Sequence, residues 1–119
     1  MIFHTILVST SITEVSEPVA QEIKKPVTLK CLARGYLFPS MKWKKADADI
    51  TNNSRVVIST KSNATSLLVQ SVLNINEVER SDTDNYTCIA SNNINEAQST
   101  AKITVLGKNV ARNLITYLL

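Results

Sequence analysis

The sequence predicts an all-β fold, a two-sheet antiparallel sandwich of about seven or eight short strands. Three observations predict it. Apolar residues alternate with polar ones in short runs: Val27, Leu29, Cys31 and Ala33 share one parity, and so do Leu67, Val69, Leu73 and Ile75. Turn-forming residues separate these runs, and no stretch keeps a helical period. Finally, Cys31, Trp43 and Cys88 each fall within such a run, with Tyr86 two residues before the second cysteine.

The totals agree with a folded domain. A chain of 119 residues is the size of one domain and can bury a core. It is 44% hydrophobic and 19% charged, which suits a globular protein rather than a disordered one. The net charge of +3 is mild, and the 13 Lys and Arg residues are spread from Lys24 to Arg112, so no concentrated nucleic-acid-binding face is expected. No stretch approaches the ~20 apolar residues of a membrane helix, so no direct membrane insertion is expected of this chain. Glycines number 2 while asparagine is abundant. Asparagine tolerates positive φ better than most residues, and Asn95 is read as standing where a hairpin glycine is common.

Residues 1–13 are read as a lead carrying no motif. The short apolar run there lacks a preceding basic residue and a clean cleavage site, so a truncated start is favoured over the remnant of a signal sequence. Residues 14–23 form an edge strand broken by Pro18, since proline cannot donate to a ladder, and residues 24–26 turn the chain. Residues 27–33 are the first strong strand, with Thr28 and Lys30 pointing away from its apolar face. A loop over 35–39 leads to residues 41–45, where Met41 and Trp43 point inward and Lys42 and Lys44 outward. Residues 46–53 are polar and turn-rich. A short strand over 55–58 and a polar link over 59–65 precede the long alternating run that ends at Ile75. A corner over 76–81 feeds the strand 85–90, a hairpin over 91–95 follows, and the last strand, 97–106, turns Ala101, Ile103 and Val105 inward. Residues 107–119 are a tail.

Over residues 14–106 the chain resembles the intermediate, or I-set, type of immunoglobulin domain. The residues that carry the resemblance are Leu29 to Cys31, Trp43, Leu73, Ile75 and Val78, Asp82 with Tyr86 and Cys88, and Ala90 to Asn92. The interval between Trp43 and Arg55 looks too short for the two extra strands of a variable domain. Asp84 departs from the family pattern, where glycine or alanine is common, and Asn95 replaces the hairpin glycine. The resemblance implies Greek-key connections, a disulfide between Cys31 and Cys88, a core tryptophan at Trp43 and a tyrosine corner at Tyr86. It also implies an ion pair between Arg55 and Asp82, expected to be exposed and to contribute ~0–1 kcal/mol.

Catalysis finds no support in the residues. The lone histidine, His4, lies in the lead, so no Ser-His-Asp or Cys-His arrangement forms. Neither a metal constellation nor a glycine-rich phosphate loop is present, and no cofactor is expected. Three Asn-x-Ser/Thr triplets begin at Asn52, Asn63 and Asn85, each a candidate for N-glycosylation. The outward face carrying Lys42, Lys44, Thr87 and Lys102 is the candidate binding face, against the plainer reading of these lysines as a solvated strand surface. The resemblance implies a non-catalytic extracellular module for protein–protein recognition, in cell adhesion or cell-surface binding, homophilic or heterophilic. It would be part of a membrane protein at the cell surface, or secreted. The alternatives are a ligand-binding ectodomain piece of a growth-factor or kinase-linked receptor, or a secreted modulator of one. A third is an intracellular structural module of the muscle type, in which the cysteines would stay reduced.

Overall fold

The structure is a computed structural model that describes residues 7–107. Nine strands build two sheets: β1 Val8–Val15, β2 Val19–Glu22, β3 Val27–Tyr36, β4 Ser40–Lys45, β5 Ala48–Asp49, β6 Val56–Asn63, β7 Leu68–Ile75, β8 Asp84–Ser91 and β9 Glu96–Leu106. The four-stranded sheet has the order β1-β3-β7-β6 and the five-stranded sheet β2-β9-β8-β4-β5. Every pair is antiparallel except β2 with β9, which is parallel, so the second sheet is mixed. The alternation read from the sequence explains the layering. β3 and β7 bury alternate residues all along their lengths, and those rows meet inward residues of β4, β8 and β9.

The strand boundaries differ from the sequence reading in several places: β3 continues past residue 33 to Tyr36, and the expected edge strand 14–23 is divided between β1 and β2, which lie in different sheets. Residues 8–13, read as a lead, belong to β1, which pairs with β3 from Val8↔Tyr36 to Val15↔Cys31. Val8, Thr10 and Ile12 alternate with exposed Ser9, Ser11 and Thr13, but the sheltered row includes a threonine and the pairing shifts register twice, which leaves the apolar pattern weak. The polar stretch after Trp43 contains β5, two exposed residues paired to Lys44 and Lys45. β6 does not stop at Ile58 but continues through the polar link to Asn63, in register with β7 throughout. An edge strand exposed on both faces shows no period that sequence could display.

The positive-φ residues also differ. They are Lys24 at 72°, Ala46 at 52° and Leu67 at 59°, and no asparagine is among them. Leu67 accordingly sits in the turn before β7 rather than in its inward row. Asn95 has no left-handed backbone to provide; its side chain does other work, described below.

Trp43 is fully buried, and its Nε1 donates to Ser71 Oγ at 2.9 Å, joining β4 to β7 across the sandwich. Ser71 is itself fully buried. Each polar atom satisfies the other, which removes the desolvation penalty an unpaired group would carry there.

Candidate recognition surface

Cys31 on β3 and Cys88 on β8 are joined by a disulfide, with Cα atoms 6.4 Å apart. Both are fully buried beside Trp43, Leu29 and Leu73. The bridge ties the two sheets together and fixes the frame on which the outer faces are displayed.

A network of polar groups closes one end of that frame. A 3-10 turn, Arg80–Asp82, precedes β8. Tyr86 donates its hydroxyl to the Asp82 carbonyl at 2.7 Å, four residues upstream. The Asp82 carboxylate accepts from the Glu79 backbone N–H at 2.7 Å and from Arg55 Nη2 at 2.5 Å. Arg55 Nη2 also donates to the Glu77 carbonyl at 3.0 Å, and Glu79 lies 4.0 Å from Arg55 and 3.6 Å from Lys24. The expectation of an exposed pair needs correcting: the Asp82 side chain is only 8% exposed, against 37% for Arg55. Losing Arg55 would strand a buried carboxylate, whereas losing Asp82 would leave a guanidinium that water can reach. Arg55→Ala should therefore destabilise the domain by about 2 kcal/mol, more than a surface pair would, as read by chemical denaturation at neutral pH.

The same corner predicts alkaline sensitivity. Burial pushes the Tyr86 hydroxyl well above its ordinary pKa of 10.0; the charges of Asp82 and Asp84 add to the rise, and Arg55 opposes it. A phenol with a raised native pKa binds its proton more tightly folded than unfolded. Its contribution is complete below pH 10 and is lost as pH rises above that value. Tyr86→Phe should flatten this alkaline decline while costing about 1 kcal/mol at neutral pH through the lost hydrogen bond. Equilibrium unfolding at neutral pH and above pH 10 measures both effects.

The structure brings Lys42, Lys44, Thr87 and Lys102 onto the outer face of the five-stranded sheet. Cross-strand register arranges that face in rows: Lys42, Ile89 and Gln98; then Lys44, Thr87 and Thr100; then Asn85 and Lys102. Thr87 and Thr100 hydroxyls lie 3.1 Å apart. Ile89 has the outward parity yet is only 5% exposed. A shallow concavity of about 560 Å³ runs over Lys44, Asp47, Thr87, Ile89, Gln98 and Thr100. The sequence reading named the lysines and Thr87 and missed Ile89, Gln98 and Thr100. Strand parity alone would have put Ile89 opposite Cys88, and cross-strand register supplies the rest.

At the opposite end from the Tyr86 corner, asparagines hold the chain together. Asn95 accepts from the Thr10 backbone N–H at 2.7 Å and returns a hydrogen bond to the Thr10 carbonyl at 3.0 Å. This side-chain amide pairs with β1 as a peptide would. Asn92 Nδ2 donates to the carbonyls of Val8 and Leu37. Gly35 makes room for it, since a Cβ there would stand 3.2 Å from Asn92 Nδ2. Around Asn92 the apolar residues Leu37, Phe38 and Ile94 remain exposed.

The three triplet asparagines are all exposed: Asn52 before β6, Asn63 at its end and Asn85 on the outer row of β8. His4 lies outside the described residues. Among the described residues no group of three or more His, Cys, Asp or Glu is placed to hold a metal, and no helix is long and apolar enough to cross a membrane.

Comparison with known proteins accords with this arrangement. The family model described as the immunoglobulin I-set domain matches residues 10–105. Neural cell adhesion molecule 1 of Gallus gallus is 31% identical over 90 residues, 71% of this chain and 8% of that protein. The chain thus spans a small fraction of the curated relatives it matches. A crystal structure of the eight N-terminal domains of Down syndrome cell adhesion molecule superposes with a TM-score of 0.79 at 30% identity, over 85% of this chain and 13% of that one. Titin domain M7 superposes with a TM-score of 0.76 at 20% identity, over 87% of this chain and 99% of that one, a likeness of fold alone.

Proposed function

Because the chain belongs to the immunoglobulin I-set family, we propose that it is a non-catalytic, extracellular module for protein–protein recognition, displayed at a cell surface or secreted. Two of the relatives that match it in sequence are named as cell adhesion molecules, which supports a role in recognition. The observation that carries the reading for this chain is the outer face of β4, β8 and β9. There a sheltered Ile89 is ringed by lysines, threonines and a glutamine. Ile89 is nearly buried, so the face a partner would meet is the polar surface around it, rich in groups able to hydrogen-bond across an interface. Lys42, Lys44 and Lys102 give that surface a positive bias, which suits a partner with acidic groups and would speed encounter with it.

Two measurements test the reading. The first is the intact mass of the chain passed through a secretory pathway, with and without reduction and sugar removal, after alkylating free thiols. Blocked thiols that appear only on reduction, with sugar on Asn52, Asn63 or Asn85, are expected; free thiols without sugar would refute an extracellular role. The second is Lys42→Glu with Lys44→Glu, screened against displayed cell-surface ectodomains. Both residues lie on the solvated side of β4, so stability should change by less than about 0.5 kcal/mol at each. Binding to an acidic partner should fall, chiefly through slower association.

A further inference from the structure

β6 is an open edge of the four-stranded sheet, and the fold leaves half of it bare. The other edges are interrupted. β1 pairs with β3 through two register shifts, β2 has four residues and follows Pro18, and β5 has two. β6 runs unbroken against β7 for eight residues, holds no proline and has Lys61 as its only charge. Its Val-Val-Ile-Ser-Thr sequence favours extended structure. Such an edge is a template for pairing with another chain.

The loop before β6 covers the first half. Asn53 donates its N–H to the Val56 carbonyl at 2.9 Å, and the Ile58 N–H donates to Asn52 Oδ1 at 2.8 Å. Outward-facing backbone groups therefore belong to the even-numbered residues of β6. Beyond Ile58 those of Thr60 and Ser62 have no partner among the described residues.

The bare stretch ends on Asn63. Its Oδ1 accepts from the backbone N–H groups of Thr65 at 2.9 Å and Ser66 at 3.1 Å. Its Nδ2, the atom that would carry a sugar, makes no hydrogen bond among the described residues. Asn52 likewise uses Oδ1 and leaves Nδ2 free. By contrast Asn76, Asn92 and Asn95 donate through Nδ2 to backbone carbonyls, and none of them begins a glycosylation triplet.

We propose that an N-linked glycan on Asn63 guards this edge, keeping a second copy of the chain from pairing β6 to β6. The sugar would come from a lipid diphosphate-linked oligosaccharide. Nδ2 bonds to the anomeric carbon, the carbon–oxygen bond to the diphosphate breaks, and one Nδ2 proton is lost as the lipid diphosphate leaves. The proposal rests on the extracellular reading and adds what the modification does: a bulky, hydrated group at the end of β6, rooted on the outer face of the sheet, crowds the approach of a pairing strand.

The test uses the whole chain, secreted behind an appended leader, as wild type, Thr65→Ser and Thr65→Ala. Each keeps Asn63 and its turn, and Thr65→Ala alone destroys the triplet. Glycopeptide mass spectrometry reads occupancy, and sedimentation velocity reads mass against concentration. Wild type and Thr65→Ser should carry sugar on Asn63 and stay monomeric. Thr65→Ala should rise towards twice the monomer mass, and adding Thr60→Lys, a charge on the bare edge, should return it to monomer. A Thr65→Ala chain that stays monomeric, or a dimer indifferent to Thr60→Lys, overturns the guard. An Asn63 without sugar overturns it too. In that case sugar on Asn52 or Asn85, or an oxidised bridge, leaves the extracellular reading standing, whereas free thiols with no sugar anywhere overturn both.

Discussion

Trp43→Ala should destabilise the domain by about 3–5 kcal/mol, a large part of the ~5–15 kcal/mol that holds a domain of this size together. The side chain is fully buried between the sheets, so its removal leaves a cavity beside the disulfide that the bridged strands cannot collapse to fill. It also leaves the Ser71 hydroxyl without its 2.9 Å donor. The melting temperature should drop by roughly 15–30 °C. A double-mutant cycle separates the two contributions. Trp43→Phe restores most of the volume but leaves Ser71 unpaired, so adding Ser71→Ala should recover about 1 kcal/mol of what Trp43→Phe lost. In a Trp43 background Ser71→Ala should be destabilising, because there it strands the indole N–H. Denaturant midpoints of the four proteins decide the matter: a serine change of the same sign and size in both backgrounds would mean that the hydrogen bond contributes nothing.

Ser71 shows where the sequence was legible and where it was not. It occupies the same parity as Val69, Leu73 and Ile75, and its burial was implicit in that alternation. A polar residue in an inward row is invisible to a hydrophobic pattern until its partner is known, and the partner lies 28 residues away on the other sheet. Residues 27–33 and 85–90 were readable because each packs one face into the core and so shows a period of two. β1 and the end of β6 were harder to read: β1 pairs with β3 through two register shifts that interrupt its alternation, and the end of β6 is exposed on both faces and held by backbone pairing.

The surfaces divide in the same way. The lysines of β4 could be placed outward from Trp43 alone, but the neighbours that make a face of them required register between three strands. The asparagines were legible in number and misread in role. An abundance of Asn beside few Gly suggested left-handed turns, yet the turns use Lys24, Ala46 and Leu67. The asparagines act instead through their amides, Asn95 by completing the pairing of β1 and Asn92 by binding two loop carbonyls. Side-chain amides that imitate peptide groups leave no trace in hydropathy.

Breaking the bridge with Cys31→Ala and Cys88→Ala should lower stability by ~4 kcal/mol from the cross-link, with a further loss from the two small cavities. The 57-residue separation sets the first figure: the closed loop restricts the unfolded chain, and restricting the unfolded state raises its free energy relative to the native one. A second variant, Cys31→Val with Cys88→Ala, holds the volume nearer its native value and so isolates the cross-link. Both variants should keep the sheet registers, since no backbone hydrogen bond depends on the sulfurs, and both should unfold at much lower denaturant than wild type. Adding reductant to the wild type should bring it to the level of the volume-preserving variant and leave the variants unchanged. A wild type indifferent to reductant, with variants losing only the packing share of about 1 kcal/mol, would describe a domain built to fold with two thiols. That outcome would remove the chemical reason for placing it outside the cell, because a bridge that adds nothing to stability gives no advantage in an oxidising compartment.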